Sequence, residues 1–226
     1  MPVQTQCTVA EAVRLNDFAC SLTLDVGEEM AGQIACGQFV HIKCGHSRLL
    51  RRPISICDWQ ENLLRVVFEV RGEGTEWLAR RKAGDRLDVL GPLGHGFDVA
   101  AGSLLVVGGG IGAPPMLGCA KYAASRGSEV HAVLGFRDAG HKMLTEDFAE
   151  CCRFFRLSDR ILHIFFMYRA LFFLLPKPLI FFRLLCSLPR RFFFLFCTDS
   201  CHNCSLCFKY KMSAFHDLYR ERPEIC

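Results

Sequence analysis

The run Leu104 to Leu117, LLVVGGGIGAPPML, constrains the fold of this chain more than any other stretch. Four consecutive apolar residues, Leu104 to Val107, suit a strand buried on both faces of a parallel sheet. The chain then turns through Gly108, Gly109, Gly110 and Gly112, where no Cβ keeps a ligand away from the backbone. Pro114 and Pro115 belong in a first helical turn, where a missing N–H costs nothing, and Met116 to Ser125 continue the helix. A strand, a glycine turn and a helix N-terminus together present free N–H groups and a positive dipole end to an anion. Gly108, Gly110 and Ala113 satisfy a loose G-x-G-x-x-G/A pattern, which points to a dinucleotide; the plain alternative is a tight turn without a ligand.

Composition changes abruptly near Glu150. All 19 glycines lie at or before Gly140, and no valine, glutamine or tryptophan follows position 150. Most of the 20 phenylalanines fall after it, in runs such as Phe192 to Phe194. The two parts are therefore read separately. The net charge of +4 is too small to argue for nucleic acid. Met1 to Asp17 lacks a basic start followed by an apolar run, so no secretory signal is expected and the location is read as cytoplasmic. In that setting the 14 cysteines read as free thiols or metal ligands rather than a disulfide scaffold.

Residues 1–100 alternate as short strands at Cys7 to Val13, Ser21 to Val26, Phe39 to Lys43, Leu63 to Val70 and Arg86 to Leu90. Turns separate them, as in an antiparallel Greek-key barrel. A short helix is expected from Thr75 to Arg81. From Ser103 the period changes to strand, helix, strand: Leu104 to Val107, Met116 to Ser125, Val130 to Phe136. That is the start of a parallel sheet. A further helix follows at Thr145 to Ala149, with Thr145 as its cap.

Three other segments stand out. Arg51-Arg52-Pro53-Ile54-Ser55-Ile56 is either a ligand segment or an exposed basic turn entering an edge strand. Val67-Phe68-Glu69-Val70-Arg71-Gly72-Glu73-Gly74-Thr75 is a strand ending in a glycine turn, after which Thr75 opens a helix whose N–H groups can meet phosphate. Gly91-Pro92-Leu93-Gly94-His95-Gly96-Phe97 reads as an interdomain turn, and His95 within it is not taken as catalytic.

With the nucleotide turn, these segments stand in the order RPIS, GEGT, GPLGHGF, GGGIGAPPM. In that order they resemble the ferredoxin-reductase family of flavoproteins, and within it most nearly the electron-transfer subunits of dihydroorotate dehydrogenase B. Leu134 to Asp138, LGFRD, resembles the same subunits. The resemblance covers residues 1 to about 150. It implies an FAD-binding barrel over 1–100 and a truncated parallel-sheet NAD-binding domain over 101–150. It further implies that Arg52 pairs with the FAD pyrophosphate, Ile54 lies against the flavin ring and Ser55 faces the ring's redox-active edge. Pro53, Val67, Phe68, Glu69, Gly74 and Thr75 complete the FAD set; Gly108, Gly109, Gly110 and Gly112 serve NAD(H). NADH would then reduce FAD, and a [2Fe–2S] cluster would relay electrons to a catalytic subunit that oxidises dihydroorotate. The cofactors carry the hydride chemistry, so no catalytic side chain is assigned.

Residues 151–226 match none of this and are left unassigned. Ile161 to Phe166, Leu171 to Leu175 and Phe192 to Phe196 are apolar, but Arg169, Lys177, Arg183, Arg190 and Arg191 interrupt them, against a membrane span. Cys197, Cys201, Cys204, Cys207 and Cys226 do not reproduce the family's C-x₄-C-x₂-C spacing. A zinc site using His202 lacks paired knuckles, so no metal ligand is assigned. A glycine-free, phenylalanine-rich tail is what a shifted reading frame over AT-rich DNA would encode. The second reading of the chain is accordingly a flavin-binding remnant without enzyme activity.

Overall fold

The structure, a computed structural model, describes residues 1–45, 50–99, 102–158, 192–197 and 208–211. The first part contains β1 (Val3–Arg14), β2 (Ala19–Asp25), α1 (Gly27–Ala31), β3 (Phe39–Ile42), β4 (Arg52–Gln60), β5 (Leu63–Glu69), α2 (Glu73–Ala79) and β6 (Arg86–Leu93). The six strands close an antiparallel barrel in the order β1-β2-β5-β4-β3-β6. Alternation explains the closure: along β2 and β5 the inward side chains Leu22, Leu24, Leu64 and Val66 join Val9, Val40, Ile42, Leu87 and Val89 in one buried cluster.

The second part contains β7 (Ser103–Gly109), α3 (Ala113–Ser125), β8 (Glu129–Gly135), α4 (Thr145–Cys151), β9 (Phe154–Ser158), β10 (Phe192–Cys197) and β11 (Phe208–Lys211). They form a sheet in the order β11-β10-β7-β8-β9, parallel except for β11. Sequence reading assigns no element beyond Glu150, yet three strands come from there. β10 pairs with β7 from Phe192↔Ser103 to Cys197↔Gly108.

Two helix expectations are corrected. α2 starts at Glu73 rather than Thr75, because the Thr75 hydroxyl accepts from the N–H groups of Arg71 (2.9 Å) and Gly72 (3.2 Å) and closes the turn from inside the helix. Thr145 likewise lies inside α4, and Leu144 holds the cap position at φ 58°. That left-handed backbone is uncommon for leucine; here its side chain is buried in the second core cluster. The third difference is β4, which pairs with β3 on one side and β5 on the other and so is not an edge strand.

α3 joins the two parts. Ala113 to Ala120 are buried, and the helix lies against β4 as well as β7 and β8. The core around it draws Ala19, Cys57 and Val67 from the barrel. At the crossing, a Cβ on Gly118 would stand 2.7 Å from the Cys57 carbonyl oxygen and 3.1 Å from the Trp59 ring. Lys121 pairs with Asp58 at 2.5 Å, and Arg65 pairs with Asp147 at 2.7 Å while donating to Ser21 at 3.1 Å. Gly118→Ala should therefore destabilise the protein by about 1–3 kcal/mol, because the backbone carbonyl cannot rotate away as a side chain could. Thermal unfolding checks this; an unchanged midpoint would show that α3 does not pack on β4 so closely.

Candidate functional site

The site lies where β4 and β5 part. Their ladder runs from Gln60↔Leu63 to Ile56↔Val66 and goes no further. Beyond it, Arg52 to Ser55 pair only with β3, and Val67 to Glu69 only with β2. Pro53, which has no N–H to give, is tolerated in this half because one side of the strand carries no ladder. The two segments singled out by sequence are thus the two facing lips of one gap.

A cavity of about 310 Å³ opens at that gap, lined by Arg52, Arg71, Gly72, Glu73, Gly74 and Thr75. A Cβ on Gly74 would meet Arg52 Nε at 2.6 Å, so glycine there makes room for the guanidinium. The adjacent arginines have different tasks. Arg51 donates from Nη2 to both Asp88 oxygens at 2.9 Å, which ties β4 to β6. Arg52 has no acidic partner among the described residues, so its fork of donors remains available for an anion. Arg71, absent from the sequence-based set, adds a second cation and is held by Glu69 Oε2 at 2.5 Å. Its signal was a basic residue directly before a glycine turn.

The remaining candidates divide by burial. Ile54 and Phe68 lie in the barrel core, Val67 in the core shared with α3, and Ser55 is half-buried on the opposite face of β4 from Ile54. Thr75 shapes the turn through its hydroxyl, as described, and leaves the N–H groups at the start of α2 beside the cavity.

The second candidate turn forms as expected at the carboxyl end of β7, the end at which open parallel sheets take ligands. A Cβ on Gly108 would stand 2.7 Å from Ala113 Cα, so glycine lets α3 start directly against the strand. Gly109 faces open space, and Gly110 has φ 51°, a left-handed turn that favours glycine. Gly110 to Gly112 form a short 3₁₀ turn beside β5, and Pro114 and Pro115 sit in the first turn of α3. The glycine turn thereby lies beside β5, the strand that carries one lip of the gap.

No group of three or more metal-ligating side chains occurs among the described residues. Cys201, His202, Cys204, Cys207 and Cys226 lie outside the described residues, and Cys197 ends β10. Among the described residues no helix is long and apolar enough to cross a membrane.

A closed barrel with a cationic gap, set beside a parallel sheet with a glycine turn, has the fold of FAD/NAD-binding domains of the ferredoxin-reductase type. An NADH-dependent reduced ferredoxin-NADP oxidoreductase matches with a TM-score of 0.61 at 27% identity, over 68% of this chain and 56% of that one. The FAD/NAD-binding domain of a Vibrio cholerae nitric oxide dioxygenase matches in fold, with a TM-score of 0.57 at 16% identity over 67% and 72% of the two chains. More particularly, the chain is a homologue of electron-transfer subunits of dihydroorotate dehydrogenase B (NAD⁺). It is 41% identical to that of Geobacillus thermodenitrificans over 150 residues, 63% of this chain and 58% of the relative. It is 47% identical to that of Bacillus cereus over 122 residues, 50% and 47% of the two. The chain thus spans about half the length of the curated relatives it matches. No family model matches it.

Proposed function

We propose that the chain binds FAD at the gap between β4 and β5 and works as an electron-transfer subunit that accepts reducing equivalents from NADH. The observation that carries this reading is the parting of the two strands at Arg52–Ser55 and Val67–Glu69, with an arginine that has no acidic partner among the described residues and a glycine-made recess between them. Arg52, with Arg71 behind it, neutralises the pyrophosphate, and the start of α2 adds N–H donors. Gly74 keeps the recess open for Arg52, and Thr75 fixes the turn. Pro53 and Ser55 on one lip, and Glu69 on the other, line the path toward the ring; Ile54, Val67 and Phe68 back it from the core. When bound, FAD supplies the acceptor for a hydride from NADH. The chain's own contribution is to hold the two nucleotides near one another, with Gly108, Gly109, Gly110 and Gly112, beside β5, receiving NADH. On this reading residues 1–100 are the flavin domain and 101–150 begin the nucleotide domain, whose sheet also takes β9, β10 and β11 from residues 151–226.

The partner is proposed from the homologues' name: a dihydroorotate dehydrogenase catalytic subunit in pyrimidine biosynthesis. A cytoplasmic location is supported by the eight described cysteines, all free thiols, the state a reducing compartment maintains. The spacing of Cys197, Cys201, Cys204, Cys207 and Cys226 does not fit a [2Fe–2S] cluster.

The test uses the purified full chain. FAD should bind stoichiometrically, with quenched or shifted flavin fluorescence, and anaerobic NADH should bleach the bound flavin's visible absorption. Absence of FAD binding overturns the proposal. Binding without bleaching would instead establish the flavin-binding remnant.

A further inference from the structure

Eight cysteines have described side chains, and six of them, Cys7, Cys20, Cys36, Cys44, Cys57 and Cys119, are buried. Burial pushes the Cys7 and Cys57 thiols up to about 12, with nearby carboxylates adding to it at Cys7. Such thiols pack as small apolar groups and do not react. Cys151 and Cys152 differ. They are adjacent in sequence, both half-buried, and their sulfurs stand 3.8 Å apart at the end of α4. The fold places them there: Cys151 is the last residue of α4, and Cys152 leaves the helix with φ −109° and ψ 132°. The Cys152 N–H donates to Phe148 O at 3.0 Å, which holds the turn.

We propose that Cys151 and Cys152 form a dithiol modification site that hydroperoxides oxidise to a vicinal disulfide. The two thiols are unequal. The hydrogen bond between the two sulfurs draws the Cys151 pKa below the ordinary thiol range; burial opposes this and Lys121 assists. Cys152 is pushed up by the same hydrogen bond, by partial burial and by ionising beside an existing thiolate. Cys151 is therefore the attacking sulfur and Cys152 the resolving one.

In the first step the Cys151 thiolate attacks the terminal peroxide oxygen. An S–O bond forms, the O–O bond breaks, and the alkoxide (hydroxide from hydrogen peroxide) leaves and takes a proton from water. In the second step Cys152 loses its proton and attacks the sulfenic sulfur. An S–S bond forms, the S–O bond breaks, and water leaves. The sulfurs lose two electrons between them and the peroxide gains two. Adjacent Cα atoms are about 3.8 Å apart, closer than the roughly 4.4–6.8 Å of ordinary disulfides. The bond formed is strained and returns readily to the dithiol with a thiol reductant.

Peptide mapping of the full chain decides it, since cleavage after Lys142 and Arg153 releases one fragment, Met143 to Arg153, that contains both residues and no other cysteine. After mild hydrogen peroxide treatment, denaturation and alkylation, this fragment should carry no alkyl group and be lighter than the dithiol form by two hydrogens. Dithiothreitol should restore both alkylation sites. The Cys152→Ser protein should instead give a dimedone adduct at Cys151, and Cys151→Ser should give none at Cys152. Double alkylation of the fragment after peroxide, or its recovery joined to another peptide, overturns the proposal. A dimedone adduct at Cys152 in Cys151→Ser would overturn the assigned roles.

Discussion

Phe148→Ala should lower the stability of the protein by about 3–5 kcal/mol, the usual cost of deleting a fully buried phenylalanine side chain. Phe148 is 0% exposed and projects from α4 into the core that α3, β7 and β8 share. Its ring stacks on Phe155 of β9, with centroids 6.2 Å apart and planes 9° from parallel. The cavity cannot collapse easily, because Leu144 beside it is fixed in a left-handed backbone and Asp147 is tied to Arg65 across the interface. A protein of ordinary stability has only about 5–15 kcal/mol in all, so the loss is a large share of it. At about 2–4 °C per kcal/mol for a chain of this size, the unfolding midpoint should fall by roughly 6–20 °C. Circular dichroism on heating measures this. A shift of under about 2 °C would mean that α4 does not dock in solution against α3, β7 and β8.

That dependence is not visible in the sequence around Phe148, which reads as one amphipathic turn. Legibility follows how local each determinant is. The turn from Gly108 to Pro115 is legible because strand, glycines and prolines act within a few residues of one another. The alternating strands β2 and β5 are legible for the same reason. β4 is not, since Pro53, Ser55 and Asp58 break its alternation and its place is set by pairing with two distant strands. Nothing local says which of Arg51 and Arg52 faces a ligand; Asp88, far along the chain, decides by capturing Arg51. Gly118 reads as an ordinary helix interruption, and only the carbonyl of Cys57 shows why a side chain is excluded. The strand Phe192–Cys197 has the unbroken apolar character of a central parallel strand. Its setting, without glycine turns or amphipathic helices around it, conceals that role.

Arg52→Ala should weaken FAD binding by about 1.5–3 kcal/mol, the range for a hydrogen bond to a charged group. In affinity that is roughly a 10- to 150-fold rise in Kd. The effect should fall on binding alone, because Arg52 has no acidic partner among the described residues whose charge would be left behind. Arg51→Ala is the contrasting case. It strips Asp88 of a bidentate partner and loosens β4 against β6, so stability should drop while FAD affinity of the folded fraction changes little. Arg52→Lys should recover only part of the loss, since an ammonium keeps the charge but not the planar fork. Gly74→Ala supplies an independent route to the same end. Its methyl group would sit 2.6 Å from Arg52 Nε and drive the guanidinium from its place without removing it. FAD titration by fluorescence, run beside thermal unfolding, separates these variants. If Arg52→Ala and Gly74→Ala both bind FAD as tightly as the parent protein, the gap between β4 and β5 is not the pyrophosphate site.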